Sequence, residues 1–233
     1  MSIHGPARHL DSPENIYSFD RPVGFYQKIQ VVANLRRLLE RNHVSLADCP
    51  RIVDLGCGGG FMLRMIAELR GHSEGLAGID LASDRLHAAR QLNDGIRYVR
   101  SDMRRLPLAD HSCDLVTAFV SFMYLATAED VRQAACNIFR VLNPHGRLIV
   151  FDLVRGRDNR DGSRSLSTNE IAVQVKQAGF RLLDRQSCFK NVFGLKRLCT
   201  AYLPARFPIP LVLLLERLPF SPANNVYLLF RKS

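Results

Sequence analysis

The sequence predicts an α/β chain built on a parallel sheet, and three observations carry this. Short apolar runs of strand length alternate with longer stretches whose apolar residues recur at helical spacing. The run Arg51-Ile52-Val53-Asp54-Leu55 leads straight into the glycine-dense turn Gly56-Cys57-Gly58-Gly59-Gly60, and then into a helix-like stretch from Phe61 to Arg70. A second acid, Asp80, ends the next apolar run 26 residues after Asp54, which leaves room for a turn, a helix and a returning strand. A right-handed crossover then lays the two strands side by side.

The 233 residues fit one domain with a modest elaboration, and 47% hydrophobic content is ordinary for a globular protein. The six cysteines, at 49, 57, 113, 136, 188 and 199, form no C-x-x-C pair. A zinc site or disulfide framework is therefore not expected, and reduced thiols in a cytoplasmic setting are. Residues 1–10 carry no apolar run of the kind a signal peptide needs. No stretch is long and uninterrupted enough to span a bilayer. The net charge of +10 is uneven: residues 1–150 contribute +2 and residues 151–233 contribute +8. A basic region of this kind can meet nucleic acid, anionic lipid or an acidic substrate, or be a solvated surface.

The elements follow in order. Residues 2–20 are Pro-punctuated and irregular. From Pro22 to Arg41, Phe25, Ile29, Val32, Leu35, Leu38 and Leu39 recur at helical spacing, with Pro22 suited to a first turn. Strand one is residues 51–55. The glycine spacing Gly56-x-Gly58-x-Gly60 is not G-x-G-x-x-G, and no Gly-Lys-Ser/Thr follows, which argues against a dinucleotide fold and a P-loop. Residues 75–81 form strand two, and Asp80 falls at the carboxyl edge where open α/β sheets bind ligands. Its two oxygens suit the two hydroxyls of a vicinal diol. Ser83 to Leu92 reads as a helix with Ser83 as a cap, residues 95–99 as strand three, and residues 114–120 as a buried fourth strand. Residues 128–142 read as a helix that Pro144 and Gly146 end, launching strand five up to Asp152 at the cleft rim. Residues 154–166 are polar and Arg-rich and read as a mobile loop. A helix opens at Ser167-Thr168-Asn169-Glu170, strand six follows Gly179, and strand seven spans residues 226–231. Residues 190–225 interleave Leu and Phe with Lys and Arg, and Pro204, Pro208 and Pro210 cut them into short pieces. This insertion is read as a lid over an apolar substrate, a shallow membrane dock, or a dimer interface or plain cap on the sheet.

Together these motifs resemble class I S-adenosylmethionine-dependent methyltransferases, closest to the small-molecule and quinone-biosynthesis-like subgroup. Asp54, Gly56, Gly58 and Gly60 occupy the four fixed positions of D/E-x-G-x-G-x-G. Asp102 to Pro107 resembles the D-x-x-x-L-P patch after strand three, and Arg140 to Leu148 the R-x-L-x-P-G-G-x-L segment, with His145 in place of its first glycine. The resemblance implies a doubly wound, seven-stranded, mostly parallel sheet with an antiparallel last strand and helices on both faces. A helical or irregular insertion precedes that strand. It implies residues 1–49 as a helical segment bordering the active site, 50–189 as the cofactor-binding core, 190–225 as the insertion and 226–233 as the closing strand. It implies S-adenosyl-L-methionine as cofactor, with Asp54, Gly56, Cys57, Gly58 and Gly60 around its methionine end. Asp80 would hold the ribose, with Leu81, Arg85 and Phe119 in the same site. Asp102 would accept from the adenine amino group, and Met103 would lie against the ring.

The expected reaction is displacement of the cofactor's methyl group by an O, N or C nucleophile, mostly through positioning in a dry site. Tyr26, Tyr124 and Asp152 are the candidate bases, and Tyr17, Phe19 and Phe25 candidates for a substrate wall with Tyr26. Many family members carry histidines shortly after strand four; here Met123 and Tyr124 stand there. No N-P-P-Y/F segment follows that strand, which disfavours adenine-N6 and glutamine methylation. The apolar insertion points to a lipophilic or aromatic small molecule as partner. The alternatives are RNA, favoured by the basic skew, and a non-catalytic cofactor-binding scaffold. Peripheral membrane contact and a homodimer through residues 190–225 complete the expected partners.

Overall fold

The computed structural model describes residues 22–92, 95–154, 166–190 and 223–232. Helix α1 (Pro22–Arg41) precedes strand β1 (Ile52–Leu55), α2 (Phe61–Arg70), β2 (Leu76–Asp80), α3 (Ser83–Leu92) and β3 (Arg97–Arg100). Then come β4 (Cys113–Phe119), a 3-10 turn (Phe122–Tyr124), α4 (Ala128–Val141), β5 (Leu142–Leu153), α5 (Thr168–Gln177), β6 (Phe180–Lys190) and β7 (Ala223–Lys232). One seven-stranded sheet has the order β3-β2-β1-β4-β5-β7-β6. β3, β2, β1, β4 and β5 are mutually parallel, and β7 runs antiparallel to β5 and β6. The expected doubly wound sheet with an antiparallel last strand is what forms.

Alternation along the strands sorts side chains onto two faces. Val53, Leu55, Val116, Ala118, Leu148 and Val150 face α4 and α5, through Val131, Ala135, Ile138, Ile171 and Val175. Ile52, Leu115, Ile149, Phe151 and Tyr227 face α1, α2 and α3, through Leu35, Leu38, Leu63, Ile66 and Leu86. Chain order reverses between β1 and β4, so a crevice opens above their carboxyl ends.

Helix α1 docks on the antiparallel edge. The Tyr227 hydroxyl donates to the Val31 carbonyl at 2.7 Å, Gln186 donates to Asn34, and Arg41 and Asn42 both donate to the Asp184 carboxylate. Its upper part approaches the site, since the Lys28 ammonium lies 4.9 Å from the centroid of the Phe61 ring, just after the glycine turn.

The strand ends β1 to β4 shift by one or two residues from the sequence reading, and three further boundaries differ more plainly. β5 begins at Leu142, directly after α4, because Leu142 pairs with Cys113 before a bulge absorbs Asn143 to Gly146. Ser83 is the first helical residue of α3. β6 and β7 remain paired out to Lys190 and Ala223, so these residues and 224–225 belong to the sheet. Residues 1–21, the Arg-rich stretch 155–165 and the insertion residues 191–222 lie outside the described residues, and with them Tyr17, Phe19 and Cys199. Of the described cysteines, Cys49, Cys57, Cys113 and Cys188 are buried free thiols and Cys136 is exposed. No helix among the described residues is long and apolar enough to cross a membrane.

Candidate active site

The crevice is floored by the turn after β1. Gly56, Gly58 and Gly60 all take left-handed φ, at 70°, 50° and 74°. The Gly56 and Cys57 amides donate to the Ile79 carbonyl at 2.7 and 3.1 Å, pinning the turn to β2. The Gly58 amide donates to Asp80 Oδ2 at 2.7 Å, and the Ala82 amide to Asp80 Oδ1 at 2.9 Å. Each carboxylate oxygen is thus held by one backbone donor and keeps a lone pair for another. Asp80 is half-buried at the carboxyl end of β2, so its carboxylate keeps contact with solvent. No atom of the described residues lies within 4 Å of where a Gly59 side chain would begin, so among them the turn is open on that side. Arg85 lies across it, 3.9 Å from where a Gly58 side chain would begin, while Leu81 is 58% exposed.

Beneath the turn, strand register builds a polar floor. Asp54 is paired with Thr117 on β4 and Gly78 on β2. The Thr117 hydroxyl donates to the buried Asp54 carboxylate at 2.7 Å. A side chain on Gly78 would collide with the Cys57 sulfur at 2.7 Å, so glycine there is what lets Cys57 fold beneath the turn. Burial pushes the Cys57 thiol well above its usual range, with Asp54 and Asp80 adding to the effect, which leaves it inert.

Burial also raises the Asp54 carboxyl to about 7, against the Thr117 hydrogen bond that lowers it. A carboxyl raised in this way holds its proton longer in the folded chain than in the unfolded one. Its contribution to stability is full below 3.8 and is lost as pH rises to about 7. Asp54→Asn is therefore expected to flatten the fall in stability over that window, by an amount on the order of a few kcal/mol. Urea unfolding across the window measures it.

The wall after β4 was less legible. Val120 adopts φ 51°, a left-handed conformation unusual for a β-branched residue, while its amide donates to the Phe151 carbonyl at 2.7 Å. Such strain persists where surrounding structure fixes it, and it gathers at functional sites. Ser121 packs against the turn, 2.5 Å from where a Gly56 side chain would begin. Its buried hydroxyl has no partner among the described residues. The Tyr98 hydroxyl lies beside Gly60 and interacts with the Arg64 guanidinium. Phe122 and Met123 are buried, and Tyr124 is 76% exposed. Phe119 packs its ring 5.9 Å from those of Phe151 and Tyr227.

The three candidate bases are not brought together. Asp152 is wholly buried, not at the cleft rim. The 3-10 turn folds over it, and its carboxylate accepts from the Met123 and Leu153 amides, both at 3.0 Å. Burial raises it to about 7 against those bonds. Tyr124 points to solvent, and the Tyr26 side chain lies outside the described residues. On the other flank, Asp102 is already paired. Arg104 donates to it from its backbone amide at 2.8 Å and its guanidinium at 2.6 Å, and the side-chain bond holds the carboxyl below its usual range. Arg104 also reaches Asp130, which caps α4 with Thr127. An amino donor at Asp102 would share the carboxylate with Arg104. Met103 is partly buried against the core.

These residues fit S-adenosylmethionine. The glycine-rich turn admits close backbone approach, Asp80 keeps acceptors for a diol, and beside the turn stands the Ser121 hydroxyl, which has no partner among the described residues. A carboxylate beside the site suits a cationic ligand.

Residues 53–150 match the family model described as a methyltransferase domain. The chain is 29% identical over 204 residues, 75% of its length, to methyltransferase phqN of Penicillium fellutanum, and spans 61% of that protein. It is 32% identical over 125 residues, 52% of its length, to demethylmenaquinone methyltransferase of Thermus thermophilus, and spans 55% of it. The crystal structure of an S-adenosylmethionine-dependent methyltransferase from Mesorhizobium loti superposes with a TM-score of 0.55 at 20% identity, covering 78% of this chain and 90% of that one. The fold, the turn and the family match agree: residues 53–150 match a methyltransferase domain, the seven-stranded sheet is the fold of S-adenosylmethionine-dependent methyltransferases, and the cofactor these imply is S-adenosylmethionine.

Proposed function

We propose that this chain transfers the methyl group of S-adenosylmethionine to an O, N or C nucleophile of a small lipophilic or aromatic molecule. The supporting observation is the apolar character of the wall after β4. Val120 is exposed there, Met123 is buried, Phe119 packs against Phe151, and no histidine stands there among the described residues. His111 and His145 lie at the opposite end of the sheet, where the His111 amide donates to the Arg140 carbonyl and His145 sits in the bulge at the start of β5.

Bound S-adenosylmethionine supplies an electrophilic methyl carbon on a sulfonium. The chain's own part is to hold and exclude. The Gly56–Gly60 turn and Asp80 fix the cofactor's position, and the apolar wall keeps water from the line of attack. A nucleophile placed in that line needs no strong side-chain base unless it must lose a proton.

The test is label transfer from methyl-labelled S-adenosylmethionine to a panel of lipophilic phenols and amines, with structured RNA in parallel, at low and high salt. Label is expected in the lipophilic acceptors with little salt dependence. Label confined to RNA, falling steeply with salt, would replace this substrate class. Cofactor binding without any demethylated product would make the protein a scaffold.

A further inference from the structure

The end of the sheet opposite the glycine turn carries a feature that methyl transfer does not use. Pairing sets one transverse row across six strands: Leu76, Ile52, Leu115, Arg147, Arg231 and Arg181. Residues paired in register project from the same face, and adjoining strands lie about 4.8 Å apart, so the three arginines stand side by side over roughly 10 Å. This is the face covered by α1 and α2. Like charges directly opposite one another destabilise a sheet.

No ion pair among the described residues offsets this, and the side-chain contact Arg70 makes is with the His72 ring, neutral or cationic, 3.4 Å from its Nη2. No ion pair reaches Arg147, Arg231, Arg181 or Arg70, the last residue of α2. Arg70 and Arg147 both act on the buried Cys49 thiol, which brings the end of α2 to the row. Asp48 and Asp114 act on the same thiol, but Asp114 is held by the Arg51 amide and by Asn143, and Asp48 makes no ion pair. Seven buried side-chain polar atoms among the described residues have no hydrogen-bond partner. Four of them belong to this cluster: Nε and Nη1 of Arg70, Nε of Arg147 and Nε of Arg231. Leaving such donors unmatched is costly. Arg147 and Arg231 are only half-buried and Arg181 is exposed, so a ligand can reach the row from solvent.

We propose that Arg147, Arg231 and Arg181, with Arg70, form a binding site for a phosphate or diphosphate group, at the end of the sheet away from the cofactor. Guanidinium forks match phosphate oxygens bidentately, and several adjacent cations call for a multiply charged anion rather than a single carboxylate. The recessed Nε groups favour a small anion over a nucleic-acid backbone. The site stands independently of the methyl-transfer reading.

The test is calorimetry and thermal unfolding of the full chain with inorganic pyrophosphate at constant ionic strength, with S-adenosylhomocysteine at saturation to close the cofactor site. Wild type should bind pyrophosphate and melt higher with it. Arg231→Met should bind at least about tenfold more weakly, yet melt no lower than wild type without the anion, since it removes the middle charge of the row. Arg181→Met, at an exposed position, should also weaken binding and serves if Arg231→Met fails to fold. Parallel titrations with orthophosphate and glycerol phosphate separate the free ion from a phosphorylated metabolite, and tighter binding of either supports the site. Absence of pyrophosphate binding by wild type, or equal binding by wild type and both variants, would overturn it. So would salt-steep RNA binding without pyrophosphate binding.

Discussion

Asp80→Ala is expected to weaken S-adenosylmethionine binding about 100-fold. On the proposed reading the carboxylate accepts from the ribose hydroxyls, and its oxygens are already held by the Gly58 and Ala82 amides. Hydrogen bonds to a charged acceptor contribute about 1.5–3 kcal/mol each. Losing two outright is therefore on the order of 3 kcal/mol or more, and 1.4 kcal/mol is tenfold in affinity. The substitution also frees both amides, so the turn loses the anchor that shapes it. Asp80→Asn keeps one oxygen acceptor and should fall between, near tenfold. Calorimetric titration with S-adenosylmethionine distinguishes the graded series from an all-or-none loss. Equal affinity in all three proteins would remove Asp80 from the site.

The second large effect is on stability. Gly60 precedes α2 at φ 74°, and a Cβ there would sit 2.4 Å from the Tyr98 hydroxyl oxygen. Alanine in the left-handed region costs about 1–2 kcal/mol, and overlap in a packed site adds about 1–3 kcal/mol. Gly60→Ala should therefore lose about 2–5 kcal/mol in urea unfolding without cofactor. Tyr98→Phe removes the nearest atom, and since that hydroxyl interacts with the Arg64 guanidinium, the single change should cost about 1 kcal/mol or less. Combined with Gly60→Ala it should restore the steric part and leave mainly the backbone cost. The two changes would then be non-additive, as expected for groups in contact. Additive losses would show that Tyr98 does not press on the turn.

Much of this site could be read from the chain because its signals are local. The turn, the acid at the end of β2 and the helices at Phe61–Arg70 and Ser83–Leu92 follow from adjacent residues and their spacing. The rest depends on register, which the sequence does not display. Thr117 meets Asp54 only because β4 lies beside β1 in one alignment. Gly78 matters only because Cys57 folds beneath the turn. Asp152 is the last residue but one of its strand rather than its end, and the 3-10 turn that buries it belongs to a segment 29 residues earlier. Ser121, Tyr98 and the strained Val120 carry no motif, and only the packing of the turn exposes their part. The arginine row is likewise a product of pairing among three strands that are scattered in sequence.

The central claim is that the turn after β1 binds S-adenosylmethionine. Native mass spectrometry of the purified full chain, titrated with S-adenosylmethionine, tests it most directly. The account predicts one cofactor-sized mass addition that saturates at one per chain and is displaced by S-adenosylhomocysteine. A protein that stays at its bare mass through saturating cofactor would contradict it, and the glycine turn would then be a structural feature alone.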